Sequence, residues 1–226
     1  MRGFPVAEPY YADDSVTLYH GDCLEIDAWL AADVLVTDPP YGSRFTENNP
    51  MGGYGRRQNH GDGRTSFTIA NDDDPEVRDC ALAAWGNRPA AVFASPRLNP
   101  PPIEWANRIV WDKKTPGLGG TLRYVHEDIY LTAGWGRVGT GFSILSVNNP
   151  RDNFGHVHHK PEPLLAQVIG GAPEGVIADP FAGTGSTLVA AKRLGRRAIG
   201  VELEERYCEV IAKRLAQGVL DFGGIA

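Results

Sequence analysis

Two short stretches hold the residue types that could do chemistry. TDPPYG (37–42) follows the apolar run ADVLV and sets a carboxylate, Asp38, beside two ring-locked residues, Pro39 and Pro40, and an aromatic, Tyr41. Each proline fixes φ near −65° and restricts the residue before it, so carbonyls and carboxylate there are held as ready acceptors. In ADPFAGTGST (178–187), Gly183 and Gly185 can take positive φ and let a ligand approach the backbone, where the next helix also presents its free N–H groups. Glu202 lies nineteen residues after Gly183, at the end of the following strand. That is where a carboxylate accepts from both hydroxyls of a ribose in doubly wound sheets. No Gly-Lys-Ser/Thr follows, which excludes a P-loop, and GTGS departs from G-x-G-x-x-G, so a nucleoside without a pyrophosphate fits better. Taken singly, each stretch also reads as an ordinary turn at a strand end.

These residues need a scaffold that brings strand ends together. Apolar runs with β-branched content predict seven strands: VTLY (16–19), DVLVT (33–37), AAVFA (90–94), RIVW (108–111), DIYLTA (128–133), GVIAD (175–179) and AIGVE (198–202). Helices fit DPEVRDCALAAWG, KPEPLLAQVIG, STLVAAKRLG and EERYCEVIAKRLAQG, the third stopped by Gly195. The alternation is that of an α/β, doubly wound, mostly parallel seven-stranded sheet. The length suits one domain over 1–226, and the Gly-, Asn- and Arg-rich stretch 43–71 reads as a functional loop inserted in it.

Hydrophobic residues make up 42% and charged residues 22% of the chain, and no apolar run approaches the roughly 18 residues that span a bilayer, so no membrane role is expected. The N-terminus has no signal-like stretch, and Cys23, Cys80 and Cys208 are odd in number and far apart, which reads as reduced thiols in the cytoplasm. A net charge of −6 argues mildly against nucleic acid, yet one basic face is enough, and Arg44, Arg56, Arg57 and Arg64 fall in the 43–71 loop as candidate phosphate contacts. His156, His158 and His159 lack cysteine or acidic ligands at matching spacing, so no metal is expected. Trp85, Trp105, Trp111 and Trp135 read as core or interface residues.

DPFAGTGST resembles motif I of S-adenosylmethionine-dependent methyltransferases, and TDPPYG resembles their motif IV in the form used by DNA amino-methyltransferases. Here motif IV precedes motif I, the permuted order of the β group. HGDCLEI (20–26) is similar to the segment before the catalytic strand, and HVHHKPEPLLAQVI (156–169) is similar to motif X, with Val157 where the pattern has proline. The stretch WDKKTPGLGGTLRYVHEDI (111–129) also looks like family sequence. The resemblance implies a Rossmann-like sheet of permuted methyltransferase topology that binds S-adenosyl-L-methionine. Its cofactor pocket would comprise Asp22, Cys23, Asp38, His156, Lys160, Asp179, Pro180, Phe181, Gly183, Thr184, Gly185, Ser186 and Glu202, with Asp22 beside the adenine and Lys160 near the amino-acid end. It places a short target-recognition segment at 137–154, implies DNA as partner, and is compatible with a homodimer and a cognate restriction endonuclease.

The exocyclic amine of adenine or cytosine is a poor nucleophile because its lone pair is delocalised into the ring. On the resemblance, the Asp38 carboxylate and the Pro39 carbonyl accept its two N–H groups and return the lone pair to nitrogen, Pro40 stiffens the turn, and Tyr41 stacks the flipped base. Asp as first residue of the motif is associated with adenine N6, so that base is favoured over cytosine N4. Other readings are an RNA or protein-amide methyltransferase, an inactive DNA-binding module, and, disfavoured by the glycine spacing, a dehydrogenase. Cytosine C5 chemistry would need an activated cysteine, and none of the three stands in a Pro-Cys context.

Overall fold

Val34–Thr37 and Ala90–Ala94 are buried along their whole length, which is what strands covered on both faces require. In the computed structural model, which describes residues 8–41, 75–115, 123–148 and 159–217, they lie inside one sheet. Its strands are β1 (Tyr11–Ala12), β2 (Val16–His20), β3 (Val34–Thr37), β4 (Ala90–Ala94), β5 (Asn107–Asp112), β6 (His126–Leu131), β7 (Ile144–Ser146), β8 (Ile177–Asp179) and β9 (Ala198–Glu202), in the order β1-β2-β9-β8-β3-β4-β6-β5-β7. The helices are α1 (Glu76–Trp85), α2 (Glu162–Gly170), α3 (Ser186–Arg193) and α4 (Glu205–Ala216), and a 3-10 turn covers Ala28–Ala31.

All seven expected strands and all four helices are present, in a doubly wound α/β sheet. The sheet has nine strands because β1 and β7, of two and three residues, add to its two edges. Neither is long enough to show a period. β7 falls within 137–154, the segment expected to recognise the target; residues 149–154 of it, and the whole loop 43–71, lie outside the described residues. Five of the eight pairings are parallel: four run unbroken from β2 to β4 and the fifth joins β5 to β7, while β1-β2, β4-β6 and β6-β5 are antiparallel.

Side chains alternate across the sheet and divide the core in two. Val34, Val36, Ala91 and Phe93 face α2, α3 and α4, packing with Leu164, Val168, Leu188 and Ile211. Leu35, Ala90 and Val92 face the other way, against Trp29, Leu82 and Trp85 of the 3-10 turn and α1. Trp29 and Trp85 stack with centroids 5.8 Å apart, and the Arg88 guanidinium caps Trp85 at 3.6 Å.

The crossovers decide where a ligand can sit. From β8 the chain passes through α3 on one face to β9, and from β3 it passes through α1 on the opposite face to β4. The two connections diverge between neighbours β8 and β3, which opens a crevice beyond their carboxyl ends. Asp38 follows β3 and Asp179 ends β8, so both stand at its mouth.

Candidate functional site

The glycine turn is held from several sides. Gly183, at φ 54°, donates its N–H to Glu202 Oε2 at 2.7 Å, while Glu202 Oε1 accepts from Glu204 N–H at 2.8 Å. Glu202 is 8% exposed, and burial pushes its carboxyl up to about 7 against the pull of those two donors. Asp179, likewise buried, is pushed up to about 6; the Thr37 hydroxyl donating to Oδ1 at 2.7 Å, Thr187 and the Phe181 N–H all oppose that shift. Two buried carboxyls with raised values, close to exposed backbone, form a site prepared for hydrogen-bond donors and positive charge.

Beneath the turn, His159 Nδ1 lies 2.9 Å from the hydroxyl oxygens of both Thr184 and Ser186. Arg214 of α4 donates to the Thr184 carbonyl at 2.5 Å and to Glu162 of α2 at 2.6 Å, tying two helices to the loop. Sequence reasoning set His159 aside as a weak metal ligand and gave Arg214 no role; both brace the turn. No group of three metal-ligating side chains occurs among the described residues.

One pocket joins this turn to the motif after β3. Asp38, Pro39, Pro40 and Tyr41 line it beyond β3, Asp179, Pro180, Phe181, Gly183, Thr184 and Ser186 beyond β8, Glu202 at the end of β9 and Asp22 and Cys23 beyond β2, with Lys160 completing the wall. Asp22 sits in its own turn, its Oδ1 accepting from Leu24 N–H at 2.9 Å. Burial pushes the Cys23 thiol up to about 12, so it stays neutral and contributes packing. Gly185 differs from its neighbours. It does not line the pocket, and its φ of 80° together with a Cβ position only 2.8 Å from Ile211 Cγ1 gives it a packing role under α4. His156, Arg44, Arg56, Arg57 and Arg64 lie outside the described residues.

Lys160 was expected at the amino-acid end of a cofactor. It lines the pocket, where its buried ammonium contacts Asp38 Oδ2 directly, and Asp38 Oδ1 accepts the Tyr41 hydroxyl at 2.5 Å. Burial works against the ammonium, but the Asp38 and Glu127 carboxylates outweigh it and hold the Lys160 value above that of a free lysine. Lys113 and Glu127, which complete this cluster, were unassigned in the sequence. The available signal was the pair of acids, Glu127 and Asp128, in a strand HEDIYL that ends in an apolar run, because a charge buried there must have a partner.

A family model described as DNA methylase matches residues 135–214, from the stretch before β7 through α4. A curated relative, the type II methyltransferase M2.LlaDCHI of Lactococcus lactis subsp. cremoris, is 26% identical over 96% of this chain and 95% of its own length. Among solved structures, the M1.HpyAVI–SAM complex is 20% identical with a TM-score of 0.60, covering 88% of this chain and 98% of that one. The PvuII DNA methyltransferase, described as cytosine-N4-specific, is 16% identical with a TM-score of 0.60, covering 97% of this chain and 91% of that one. These two share the fold.

Proposed function

We propose that this chain, a member of the S-adenosylmethionine-dependent DNA amino-methyltransferase family, methylates the exocyclic amino group of a base that Asp38 and Pro39 orient, with adenine N6 as the favoured acceptor. The observation that carries the reading is that Asp38 and the Gly183–Glu202 pair face one pocket from strands on either side of the crossover divide.

The residues present fit the cofactor. Glu202, with both oxygens fixed by backbone N–H groups, has lone pairs left for ribose hydroxyls. Gly183 keeps the backbone bare beside it, and Asp22 lines the same side of the pocket. Bound there, the cofactor supplies an electrophilic methyl on a sulfonium. The chain's own work is alignment. Asp38 accepts one N–H of the target amine and the Pro39 carbonyl accepts the other, drawing the nitrogen toward tetrahedral geometry so that its lone pair points outward. The two prolines hold these acceptors without the entropy cost of a mobile loop. Tyr41 offers its ring to a flipped base, whose extrusion from the duplex costs about a few kcal/mol.

Aspartate in the first motif position supports adenine. Cytosine N4 is the second reading, favoured by the likeness to a cytosine-N4-specific enzyme and by the fact that both amines present two N–H donors. Labelled methyl offered with DNA, RNA and protein acceptors in parallel tests the proposal. Label in DNA, recovered as N6-methyladenine, supports it in full; N4-methylcytosine corrects the base, and label confined to RNA or protein refutes it.

A further inference from the structure

Asp38 is engaged at its two oxygens by groups of different character. Oδ1 accepts the Tyr41 hydroxyl at the half-buried lip of the pocket, whereas Oδ2 meets the ammonium of Lys160, a residue only 6% exposed. Lys160 Nζ also lies 3.3 Å from Glu127 Oε2, and Glu127 Oε1 accepts from Lys113 Nζ at 2.7 Å. Charges therefore alternate along Lys113, Glu127, Lys160 and Asp38, from β5 through β6 to the end of β3. Glu127 and Lys113 do not line the pocket, and Glu127 meets it through Lys160.

We propose that Glu127 is a positioning residue for methyl transfer: as a second anion for Lys160 it keeps the ammonium on Asp38 Oδ2, and so leaves Oδ1 as the acceptor the target amine takes when it displaces the Tyr41 hydroxyl. This inference rests on the DNA amino-methyltransferase reading of the site. An ammonium has three N–H donors and no directional fork, so with a single neighbouring anion it settles between both carboxylate oxygens. A second buried anion divides those donors. Lys113 does for Glu127 what Glu127 does for Lys160, fixing one oxygen and leaving the other to face inward. The buried carboxylate is expensive on a strand that could have carried an apolar residue, and a buried ion pair is weak support for stability in itself. Its value is in where it holds the cation.

The test uses the full chain, wild type beside Glu127→Gln and Glu127→Asp, with labelled methyl transfer to unmethylated DNA and cofactor affinity measured by calorimetry. Glu127→Gln is expected to lose on the order of 10- to 100-fold in kcat, as misplaced reacting groups do. Its KM for DNA and its cofactor Kd should stay within about twofold. Glu127→Asp, which restores the charge, should recover part of the loss. A Gln variant that binds cofactor and turns over at the wild-type rate overturns the inference. Should Glu127→Gln fail to fold, Lys113→Gln unpins the same carboxylate from a less buried position. A kcat loss of about threefold or more supports the inference there, and an unchanged kcat overturns it. Wild-type protein that transfers no label to DNA refutes the methyltransferase reading instead, and this inference falls with it.

Discussion

Replacing Glu202 with Gln separates cofactor binding from folding, because two terms in the fold oppose each other. The Glu202 carboxyl stands at about 7 against an ordinary 4.5, so keeping it ionised in the empty pocket costs about 3 kcal/mol. Gln removes that cost. Its NH2 then replaces an oxygen and confronts either the Gly183 or the Glu204 N–H, which leaves a buried donor unpaired at about 1–3 kcal/mol. The two changes nearly cancel, and the variant should unfold within about 2 kcal/mol of wild type. Binding has no such cancellation. Charge-assisted bonds to two ribose hydroxyls weaken to neutral ones, about 2–3 kcal/mol in total or roughly 30- to 150-fold in Kd. Titration calorimetry with S-adenosylmethionine at pH 8 reads the difference. At pH 6 the wild-type carboxyl is mostly protonated, so wild-type affinity should fall about tenfold from its pH 8 value while the variant's stays flat. Equal affinities for wild type and variant at pH 8 would refute the assignment of Glu202 to the ribose.

The same two raised carboxyls set a pH dependence of folding. Asp179 and Glu202 both bind protons more tightly in the folded state, so their contribution to stability is full below their ordinary values of 3.8 and 4.5. It is lost as pH rises to about 6 and 7, and urea unfolding of the cofactor-free protein at pH 4.5 and 7.5 would show it in these groups' favour at the lower pH. Thr37→Val removes the hydroxyl that donates to Asp179 Oδ1, and should cost about 1.5–3 kcal/mol at pH 8 and less at pH 5, where the carboxyl is neutral. Gly185→Ala forces an L residue to φ 80° and drives its Cβ into Ile211, so it should destabilise by about 2 kcal/mol or more in denaturant titration.

What was legible in the sequence was whatever a short window contains. Asp38 with its prolines and the Gly183 turn are local patterns tied to strand ends, and Glu202 follows from them at a fixed offset, since one helix and one strand intervene. The long apolar strands and the amphipathic α4 were visible for the same reason. Contacts made only by folding were hidden. Lys160 reaches Asp38 across 122 positions, and nothing near either residue announces the pairing. His159 looked like one of three histidines because spacing could not show that its ring turns toward Thr184 and Ser186. Gly185 looked like its neighbour Gly183 and differs from it through Ile211, on another helix. Strands β1 and β7 owe their existence to the strands they pair with, Tyr11 opposite Leu18 and Ile144 opposite Val110, and not to propensity of their own.

The central claim is that Asp38 prepares the amino group of a DNA base for methyl transfer, and one experiment reaches it directly. Wild type and Asp38→Asn are compared for transfer of labelled methyl from S-adenosylmethionine to unmethylated DNA, with nucleoside analysis of the product and cofactor binding measured on the same preparations. The expected result is N6-methyladenine from the wild type, cofactor affinity within about twofold for the variant, and a transfer rate lower by on the order of 10²–10³-fold. Label absent from DNA with the wild type, or a cofactor-binding Asp38→Asn that transfers at the wild-type rate, would contradict it.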